Sequence, residues 1–320
     1  MVRALCRAER ICINVHDDRM GERVGAFLRE SGVGADVSFF EIPTDDAWVR
    51  DHGPIFVTRE QEGRRETALV DFGFNAWGGK YPPWDRDDAV PRRIAGARGW
   101  RRFEAGFVLE GGSVEGNGHG VVVTTESCLL NPNRGPSRSR ELMEEKLAET
   151  LGARHVIWLE SGIEGDDTDG HVDDVTRFVS AHTLVTVVEE DAADVNERRL
   201  RENLRRLREA RRPDGGSFDI IPLPMPEAVR SASGIRYPAS YANFFLANGL
   251  ALVPTFGVRT DERALSILAE VLPDREVIGI PSRELVAGRG SVHCLTQQEP
   301  GDEAYGGSRK SESRSPTGPG

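Results

Sequence analysis

The stretch Gly170-His171-Val172-Asp173-Asp174 leads directly into the run 175–179, Val-Thr-Arg-Phe-Val. A short, largely apolar run after glycine and polar residues is typical of a β-strand, so the polar cluster is expected where a loop enters a sheet. Side chains alternate along an extended chain, which would place His171 and Asp173 on the same face. A histidine beside a carboxylate at the mouth of a strand favours proton transfer. A structural ion-paired histidine and a divalent-metal site are two other interpretations, and the cluster alone does not decide among the three.

Strands and helices alternate on both sides of this cluster. Runs with strand character lie at 10–15, 36–41, 68–72, 107–109, 120–125, 155–159, 184–188, 218–223, 243–247, 250–253 and 276–280. Runs with the helical period lie at 20–31, 139–151, 196–212 and 260–272. In the first helix, Val24, Phe27 and Leu28 are expected to face the core. Because both periods recur throughout, the sequence predicts an α/β protein.

The chain shows no change of composition that would mark an internal linker between residues 10 and 300. Residues 1–300 are therefore predicted to form a single domain. Residues 301–320 are rich in Gly, Ser, Pro and charge, and a disordered tail is predicted there.

Composition excludes several classes of partner. The formal net charge of -11 argues against a nucleic-acid surface, and only three of the 41 basic residues are lysines. Four cysteines form no CxxC pair, which is typical of reduced thiols in the cytosol. The sequence contains neither the apolar core of a secretory signal nor an apolar run long enough to cross a membrane. These features predict a cytoplasmic protein without nucleic-acid or membrane partners, and they leave a homo-oligomer open.

A second chemical stretch, Gly-Arg-Gly-Ser-Val-His-Cys-Leu-Thr, lies at 288–296 and contains Cys294. A thiolate is a reactive nucleophile, and the glycines before it permit close approach of the backbone to a ligand. His293 is a poor candidate for its base, since neighbours in an extended chain point in opposite directions, and His171 is the better candidate. The alternative is that Cys294 is a small buried hydrophobic residue, as is expected for Cys6, Cys12 and Cys128.

Carboxylates in two other loops remain ambiguous from the residues alone. Asp51 lies in a polar loop that ends at Gly53-Pro54, and Glu110 precedes two glycines; each is compatible with a site residue or with a solvated turn carboxylate. The sequence has no HExxH motif, GxSxG motif, phosphate-binding loop or dinucleotide fingerprint. No metal site is therefore predicted from the residues.

Seven blocks together resemble a known family. They are, in chain order, Thr-Asp-Asp-Ala-Trp-Val-Arg-Asp (44–51), Phe-Gly-Phe-Asn-Ala-Trp-Gly-Gly-Lys (72–80), Leu-Glu-Gly-Gly-Ser (109–113), Asn-Pro-Asn-Arg (131–134), Gly-His-Val-Asp (170–173), Ser-Tyr-Ala-Asn-Phe (240–244) and His-Cys-Leu-Thr-Gln-Gln (293–298). The chain is similar to the agmatine deiminases, the bacterial and plant branch of the peptidyl-arginine deiminase family within the guanidine-modifying superfamily. The match runs from about residue 12 to 299 in the family's order.

The resemblance implies both a fold and a reaction. The fold would be a fivefold pseudosymmetric α/β propeller of ββαβ modules with the active site on its axis. The substrate would be a small cationic guanidine, and for agmatine the products would be N-carbamoylputrescine and ammonia, a step in the formation of putrescine and other polyamines. No cofactor is implied.

The resemblance also assigns roles to the candidate residues. Cys294 would be the nucleophile that forms an amidino-cysteine intermediate, and His171 would be the general acid and base. Asp51 and Asp173 would hold the guanidinium, and Glu110 would support the histidine. Trp48 and Asn243 would contribute to substrate binding. Deimination of arginine, peptidyl arginine or another alkylguanidine, or an inactive guanidine-binding relative, are the alternatives.

The sequence departs from the family pattern in two regions. An N-terminal segment with a Trp-Glu-Pro-His-like stretch has no counterpart before Arg10. Two explanations stay open: the start of the gene is assigned too late, or the protein is truncated and its first module is incomplete. His52 stands where Thr is common, and the loop 112–120 lacks the usual aspartate. Both of these changes fall where the distal end of the substrate is expected.

Overall fold

The computed structural model describes residues 1–33, 37–136 and 138–301. Within these ranges the chain forms fourteen strands in five small sheets. The strands are β1 (Ile11–Val15), β2 (Val37–Glu41), β3 (Ile55–Gln61), β4 (Arg64–Gly73), β5 (Arg102–Val108), β6 (Val114–Gly116), β7 (Val121–Thr125), β8 (His155–Leu159), β9 (Thr176–Phe178), β10 (Thr183–Val188), β11 (Asp219–Pro224), β12 (Phe245–Ala247), β13 (Leu250–Thr255) and β14 (Glu276–Pro281).

Helical segments connect and cover these strands. The segments are α1 (Val2–Leu5), α2 (Asp18–Glu30), α3 (Val49–His52), α4 (Ala76–Gly79), α5 (Asp85–Asp88), α6 (Val90–Arg98), α7 (Glu126–Leu129), α8 (Arg140–Leu151), α9 (Glu197–Glu209) and α10 (Asp261–Val271), with short 3-10 turns at Gly111–Ser113, Pro132–Arg134, Val172–Asp174 and Val286–Gly288. No described helix is both long and apolar enough to cross a bilayer.

Four of the sheets repeat one topology. In each, two antiparallel strands are followed by a helix and then by a third strand that lies parallel to the second. The helix is required because parallel neighbours need a crossover connection. Within the described residues the first sheet has only the parallel pair β1 and β2, joined through α2. The predicted α/β class is confirmed, and the sequence forms a series of small mixed sheets.

Local sequence explains where several elements begin and end. Ser139 caps α8, since its hydroxyl accepts a hydrogen bond from the amide of Leu142 at 3.3 Å, and the helix ends at Gly152 with a left-handed φ of 68°. The strand predicted at 155–159 is observed as β8 with the same bounds. The tail predicted from residue 301 lies outside the described residues, apart from Gly301.

Two local predictions were wrong. The chain is not extended through the polar cluster, because Val172–Asp174 forms a 3-10 turn. Strand pairing begins only at Thr176, so the preceding residues close their hydrogen bonds locally, with the amide of Val175 bonded to the carbonyl of Val172 at 2.9 Å.

Phe27 does not face the core, since 66 % of its surface is exposed. The buried face of α2 instead contains Gly21 and Gly25, which lie beside the ring of Phe39. Phe27 lies about 200° around the helix from Gly25, which places it on the opposite side.

The segment 294–299 returns to the N-terminal part of the chain. The carbonyl of Cys294 accepts a hydrogen bond from the amide of Arg50 at 3.0 Å, and Gln298 Oε1 accepts one from the Arg50 guanidinium at 2.8 Å. Glu299 pairs with Arg98 at 2.5 Å and accepts a hydrogen bond from the Trp100 indole at 3.0 Å. Distant parts of the sequence are joined beside the candidate site.

Candidate active site

Turns from different sheets bring the predicted residues together. Asp51 lies in α3, and Glu110 directly precedes the turn Gly111–Ser113. His171 directly precedes the turn Val172–Asp174, and Asp173 lies within it. Asn243 lies before β12, and Cys294 lies after the turn Val286–Gly288. These six residues are all buried, and the most exposed of them, Cys294, is only 6 % exposed. Burial of so many polar groups requires partners, and the contacts among them define the site.

Cys294 lies against Asn243 and Asp173. Asn243 Nδ2 is 3.2 Å from Cys294 Sγ, and Asp173 Oδ2 is 4.0 Å from the same sulfur. The Asn243 Oδ1 atom accepts a hydrogen bond from the amide of His293 at 2.9 Å, which fixes the orientation of the Asn243 amide. Burial raises the pKa of the Cys294 thiol well above its usual range, and the nearby charges of Asp173, Asp174 and Asp51 raise it further. Without a cation in the site, Cys294 is therefore a thiol.

Asp51 is held by two N–H donors. The Trp77 indole donates to Oδ2 at 3.0 Å, and the amide of Gly112 donates to Oδ1 at 3.1 Å. Burial raises the pKa of Asp51 well above its usual range, and the charge of Asp173 raises it further, while the two donors oppose the shift. Two buried carboxylates that disfavour each other's ionisation form a site in which a bound cation is stabilising.

Asp173 has one bonded and one unbonded carboxylate oxygen. Its Oδ2 lies 2.7 Å from His293 Nδ1, whereas Oδ1 is buried without a hydrogen-bond partner among the described residues. Burial raises the pKa of Asp173 to about 7, although the cationic side chains of Arg177 and Arg50 act in the opposite direction. The unbonded Oδ1 is therefore available to an N–H donor of a ligand.

His171 is a buried neutral imidazole beside Asp51. Its Nδ1 lies 3.5 Å from Asp51 Oδ1, and its Nε2 is buried without a hydrogen-bond partner within the described ranges. Burial lowers the pKa of His171 well below its usual range, and the positive charge of Arg134 lowers it further. A neutral imidazole with an unbonded nitrogen can accept a proton.

Glu110 lies near His171 but is bonded to an arginine. Its Oε1 accepts a hydrogen bond from Arg134 Nε at 2.9 Å. Glu110, His171 and Cys128 each have one possible metal-ligand atom, and these three atoms lie within 4.8 Å of one another. Among the described residues, these three therefore have the spacing of a metal site. The Arg134 guanidinium already supplies a positive charge to Glu110, so this group does not need a metal to balance its charge.

A left-handed turn positions Trp77. Ala76 and Trp77 have φ values of 50° and 55°, a conformation that destabilises an L-residue by about 1–2 kcal/mol. The turn is held by Asn75, whose side chain accepts from the amide of Gly78 at 2.9 Å and donates to the carbonyl of Asn133 at 2.9 Å. Backbone strain of this kind is concentrated at functional sites, and here it directs an indole N–H at Asp51.

Gly112 is required by the close approach of three elements. A Cβ atom at this position would lie 2.5 Å from His171 Nδ1 and 2.7 Å from Asp51 Oδ1. Only glycine allows this backbone to lie between the imidazole and the carboxylate.

Trp48 lies at the edge of the buried cluster. The side chain is half-buried and packs beside Phe74 and Trp77. A Cβ atom on Gly290 would overlap its ring, so the indole lies against the segment that leads to Cys294. Trp48 therefore lies near the turn that contains Cys294, and its contact with a substrate stays a prediction.

Sequence reasoning missed four buried residues of the site. His293 had been set aside as a base because the chain was assumed to be extended, but residues 291–296 form turns, with the amide of Thr296 bonded to the carbonyl of His293 at 3.0 Å. Trp77 and Arg50 stand inside the family blocks, but the resemblance assigned a role to neither of them. Arg177 donates to Glu115 at 2.9 Å and to the carbonyl of Phe244 at 2.6 Å, and it has no local sequence signal.

Comparison with known proteins places this geometry in a family. The family model described as Porphyromonas-type peptidyl-arginine deiminase matches residues 1–300. A relative named agmatine deiminase from Ectopseudomonas mendocina (strain ymp) is 40% identical over 286 residues, which cover 82% of this chain and 77% of the relative. The structure of the agmatine deiminase of Enterococcus faecalis superposes with a TM-score of 0.85 at 31% identity and covers 93% of this chain and 85% of that one.

A second solved structure, also of an agmatine deiminase, superposes on most of this chain. A serine variant of the agmatine deiminase of C. jejuni with substrate bound superposes with a TM-score of 0.82 at 31% identity, covering 92% of this chain and 84% of the other. Matches to the family model and to curated relatives both extend over most of the chain. The protein belongs to the Porphyromonas-type peptidyl-arginine deiminase family.

Proposed function

We propose that this chain is a cytoplasmic agmatine deiminase that hydrolyses agmatine to N-carbamoylputrescine and ammonia through an amidino-cysteine intermediate, and so contributes to putrescine formation. The observation that carries the proposal is the position of Cys294 Sγ, 4.0 Å from the carboxylate of Asp173 inside a buried site that also contains Asp51. A cation held by these carboxylates lies beside the nucleophile. The similarity to curated agmatine deiminases at about 40% identity supports agmatine as the substrate.

The guanidinium group fits the site because of its geometry and its charge. It is a planar fork of N–H donors that meets a carboxylate through two parallel hydrogen bonds. Asp173 offers its unbonded Oδ1, and Asp51 faces the same cluster with its charge held by Trp77 and Gly112. Binding of the cation favours ionisation of both carboxyls. Because their charges no longer act unopposed on Cys294, its thiolate also becomes accessible.

The reaction then needs one nucleophile and one proton carrier. Neutral His171 accepts the Cys294 proton, and the thiolate attacks the guanidinium carbon to form a tetrahedral adduct. The imidazolium, stabilised by Asp51 at 3.5 Å, returns the proton to the departing nitrogen, so the C–N bond breaks and ammonia leaves. His171 then takes a proton from water, and the hydroxide attacks the amidino carbon. The adduct loses its hydroxyl proton as the C=O bond forms, the C–S bond breaks with its electron pair on Cys294 Sγ, and N-carbamoylputrescine leaves. Of the two protons now held by the site, one restores the Cys294 thiol and the other is released with ammonia as ammonium, which leaves His171 neutral again. General acid–base catalysis of this kind contributes about 10²–10⁴ in rate.

Glu110, Asn243 and Trp48 support these steps. Glu110 lies beside His171 and, with Arg134, forms a fixed charge pair behind the imidazole. Asn243 Nδ2 lies 3.2 Å from Cys294 Sγ and donates a hydrogen bond to the developing thiolate. Trp48 offers an apolar face to the aliphatic chain of the substrate.

The finer architecture belongs to the same proposal. The five sheets are the modules of a fivefold α/β propeller, and the site lies on its axis. Two observations support this arrangement: four described sheets share one ββαβ topology, and the site residues come from turns associated with different sheets.

The proposal is tested with the purified chain and three substrates. Agmatine, arginine and a peptide containing arginine are supplied separately, and ammonia and the ureido product are measured. Agmatine is expected to have the highest kcat/KM. Faster turnover of free or peptidyl arginine would favour the alternative that the family's description suggests.

A covalent probe tests the nucleophile independently of turnover. A haloamidine is expected to label Cys294 selectively, and Cys294→Ala to abolish both labelling and turnover. Cys12→Ser is the control for selectivity, because Cys12 is an exposed free thiol in β1 and its loss should change neither labelling of Cys294 nor turnover. Turnover by Cys294→Ala at the wild-type rate would refute the covalent mechanism.

A further inference from the structure

A buried histidine–aspartate pair lies next to the nucleophile and has no role in the steps above. His293 Nδ1 and Asp173 Oδ2 are 2.7 Å apart, although the two residues are 120 positions apart in the chain. His293 is 4 % exposed and Asp173 is fully buried. A separation this short is typical of a charge-assisted hydrogen bond, so one proton lies between the two groups.

We infer that His293 is a positioning residue for substrate binding: its Nδ1–H holds Asp173 Oδ2, fixes the plane of the carboxylate and leaves Oδ1 to the guanidinium. This inference rests on the proposed function. Both oxygens have a defined environment, since Oδ2 is bonded to His293 and Oδ1 is buried without a partner among the described residues. A carboxylate that is bonded at one oxygen only is oriented before the substrate arrives, which reduces the loss of freedom on binding.

The tautomer follows from the charges around the ring. Burial lowers the pKa of His293 well below its usual range, and the cationic side chains of Arg177 and Arg50 lower it further. The imidazole is therefore neutral and carries a single N–H. Once a guanidinium has ionised Asp173, that carboxylate is an acceptor only, so the N–H of His293 must be on Nδ1.

The main-chain contacts of His293 are independent of its ring. Its amide donates to the carbonyl of Asn243 at 3.1 Å and to Asn243 Oδ1 at 2.9 Å, and its carbonyl accepts from the amide of Thr296. These contacts hold the nucleophile turn in any variant that keeps the backbone. A substitution of the ring therefore tests the bond to Asp173 and leaves the framework of the turn in place.

The expected signature is a change in pH dependence. Arg177 and Arg50 favour the ionised form of Asp173, whereas Asp166 and Glu115 oppose it. The negative charge of Asp173 in turn raises the pKa of three neighbouring groups, Asp51, Asp174 and Cys294. Removing the His293 N–H takes away a stabilising contact of the carboxylate, so the pKa of Asp173 rises above about 7 and binding weakens most at and below neutral pH.

The test compares His293→Leu, which removes the donor, with His293→Asn, whose side-chain amide places an N–H near the position of Nδ1. Both are assayed with agmatine between about pH 6 and 9. His293→Leu is expected to raise KM about 10- to 100-fold near pH 7, the effect of one hydrogen bond to a charged group. In the pH profile of kcat/KM for His293→Leu, the acid limb should move to higher pH, while kcat at alkaline pH should change little. His293→Asn should restore most of the KM and the position of the limb. A loss that is equal at all pH values in both variants, or no loss, would overturn the inference.

A proton NMR measurement separates this inference from the proposed function, because it requires no turnover. The Nδ1–H proton shared with Asp173 should give a downfield resonance in the wild-type protein that is absent in His293→Leu and Asp173→Asn. A folded wild-type protein without that resonance would refute the pair. A wild-type protein that shows the resonance but turns over no guanidine would refute the proposed function and leave the hydrogen bond standing.

Discussion

Replacement of Trp77 by Phe removes the indole N–H from Asp51 and keeps an aromatic ring in the cluster. Asp51 has two donors, Trp77 Nε1 at 3.0 Å and the Gly112 amide at 3.1 Å, so the variant loses one of them. A hydrogen bond to a charged group contributes about 1.5–3 kcal/mol, and 1.36 kcal/mol corresponds to a factor of ten. The expected fall in kcat/KM for agmatine is therefore about 10- to 150-fold.

The pH dependence of this effect has a defined sign. Burial already raises the pKa of Asp51, and the indole donor opposes that shift. Without the donor the pKa rises further, so a larger fraction of Asp51 is protonated at low pH and binds the guanidinium poorly. The deficit of Trp77→Phe should be largest at acidic pH and should shrink as the pH is raised.

Trp100→Phe is the matched control for this prediction. It removes an indole–carboxylate hydrogen bond of the same length, 3.0 Å, but the acceptor is Glu299 and not a residue of the site. Steady-state kinetics and urea unfolding are measured for both variants. The reasoning is refuted if Trp77→Phe keeps kcat/KM within about twofold of wild type, or if Trp100→Phe loses as much activity at equal stability.

Three further substitutions test the charges and the packing of the site. Asp173 has a folded-state pKa raised to about 7, above an unfolded value of about 3.9, so its ionisation opposes folding, and this cost grows as the pH rises from about 4 to about 7 and then levels off. Asp173→Asn should be inactive, because it lacks the carboxylate that binds the guanidinium. It should nevertheless be more resistant to urea than the wild type, and the difference in unfolding free energy should grow from pH 5 to pH 8. An equal difference at both pH values would contradict this reasoning. Gly112→Ala should lower kcat/KM at least about 100-fold, because the added Cβ would collide with His171 and Asp51. Circular dichroism should still show a folded chain. Wild-type kinetics would show that the backbone does not approach these two side chains as closely as described. Arg134→Met should lower the free energy of unfolding in urea by about 3–5 kcal/mol, because it leaves Glu110 buried and unpaired. Lys80→Met, which removes the partly exposed ion pair with Asp169, should lower it by about 1 kcal/mol or less. Similar effects of the two substitutions would contradict this reasoning.

The sequence predicted the general class of fold because most strands have a clear apolar pattern. Strand β8 has the same bounds as predicted, and β10 extends only one residue beyond the prediction. Strand β3 was not predicted, since residues 58–61 at its outer end are exposed and polar and show no buried face. Its existence depends on pairing with β4, which a local pattern does not contain.

The chemical identity of the site residues was easier to predict than their contacts. Cys294, Asp51, Asp173 and His171 are buried in one cluster, which agrees with the roles that the family resemblance implied, although those roles remain predictions. The 3-10 turn at Val172–Asp174 was not predicted, because it depends on where the ladder with β10 begins.

Glu110 illustrates why contacts are harder to predict. Its hydrogen-bonded partner is Arg134, 24 positions away, and only the folded chain joins the two. His293 likewise meets Asp173 across 120 positions, so no spacing rule in the sequence relates them.

The return of residues 294–299 to the N-terminal loop sets the order in which the enzyme is completed during synthesis. Arg50 emerges from the ribosome long before Gln298, its partner 248 positions later, and Cys294 is made in the same late stretch. A domain generally folds as a unit, so the contacts between Arg50 and residues 294–298 can form only after this late stretch has emerged. A nascent chain released before this stretch therefore has neither the Cys294 thiol nor its contact with the amide of Arg50, and it is expected to lack the proposed activity.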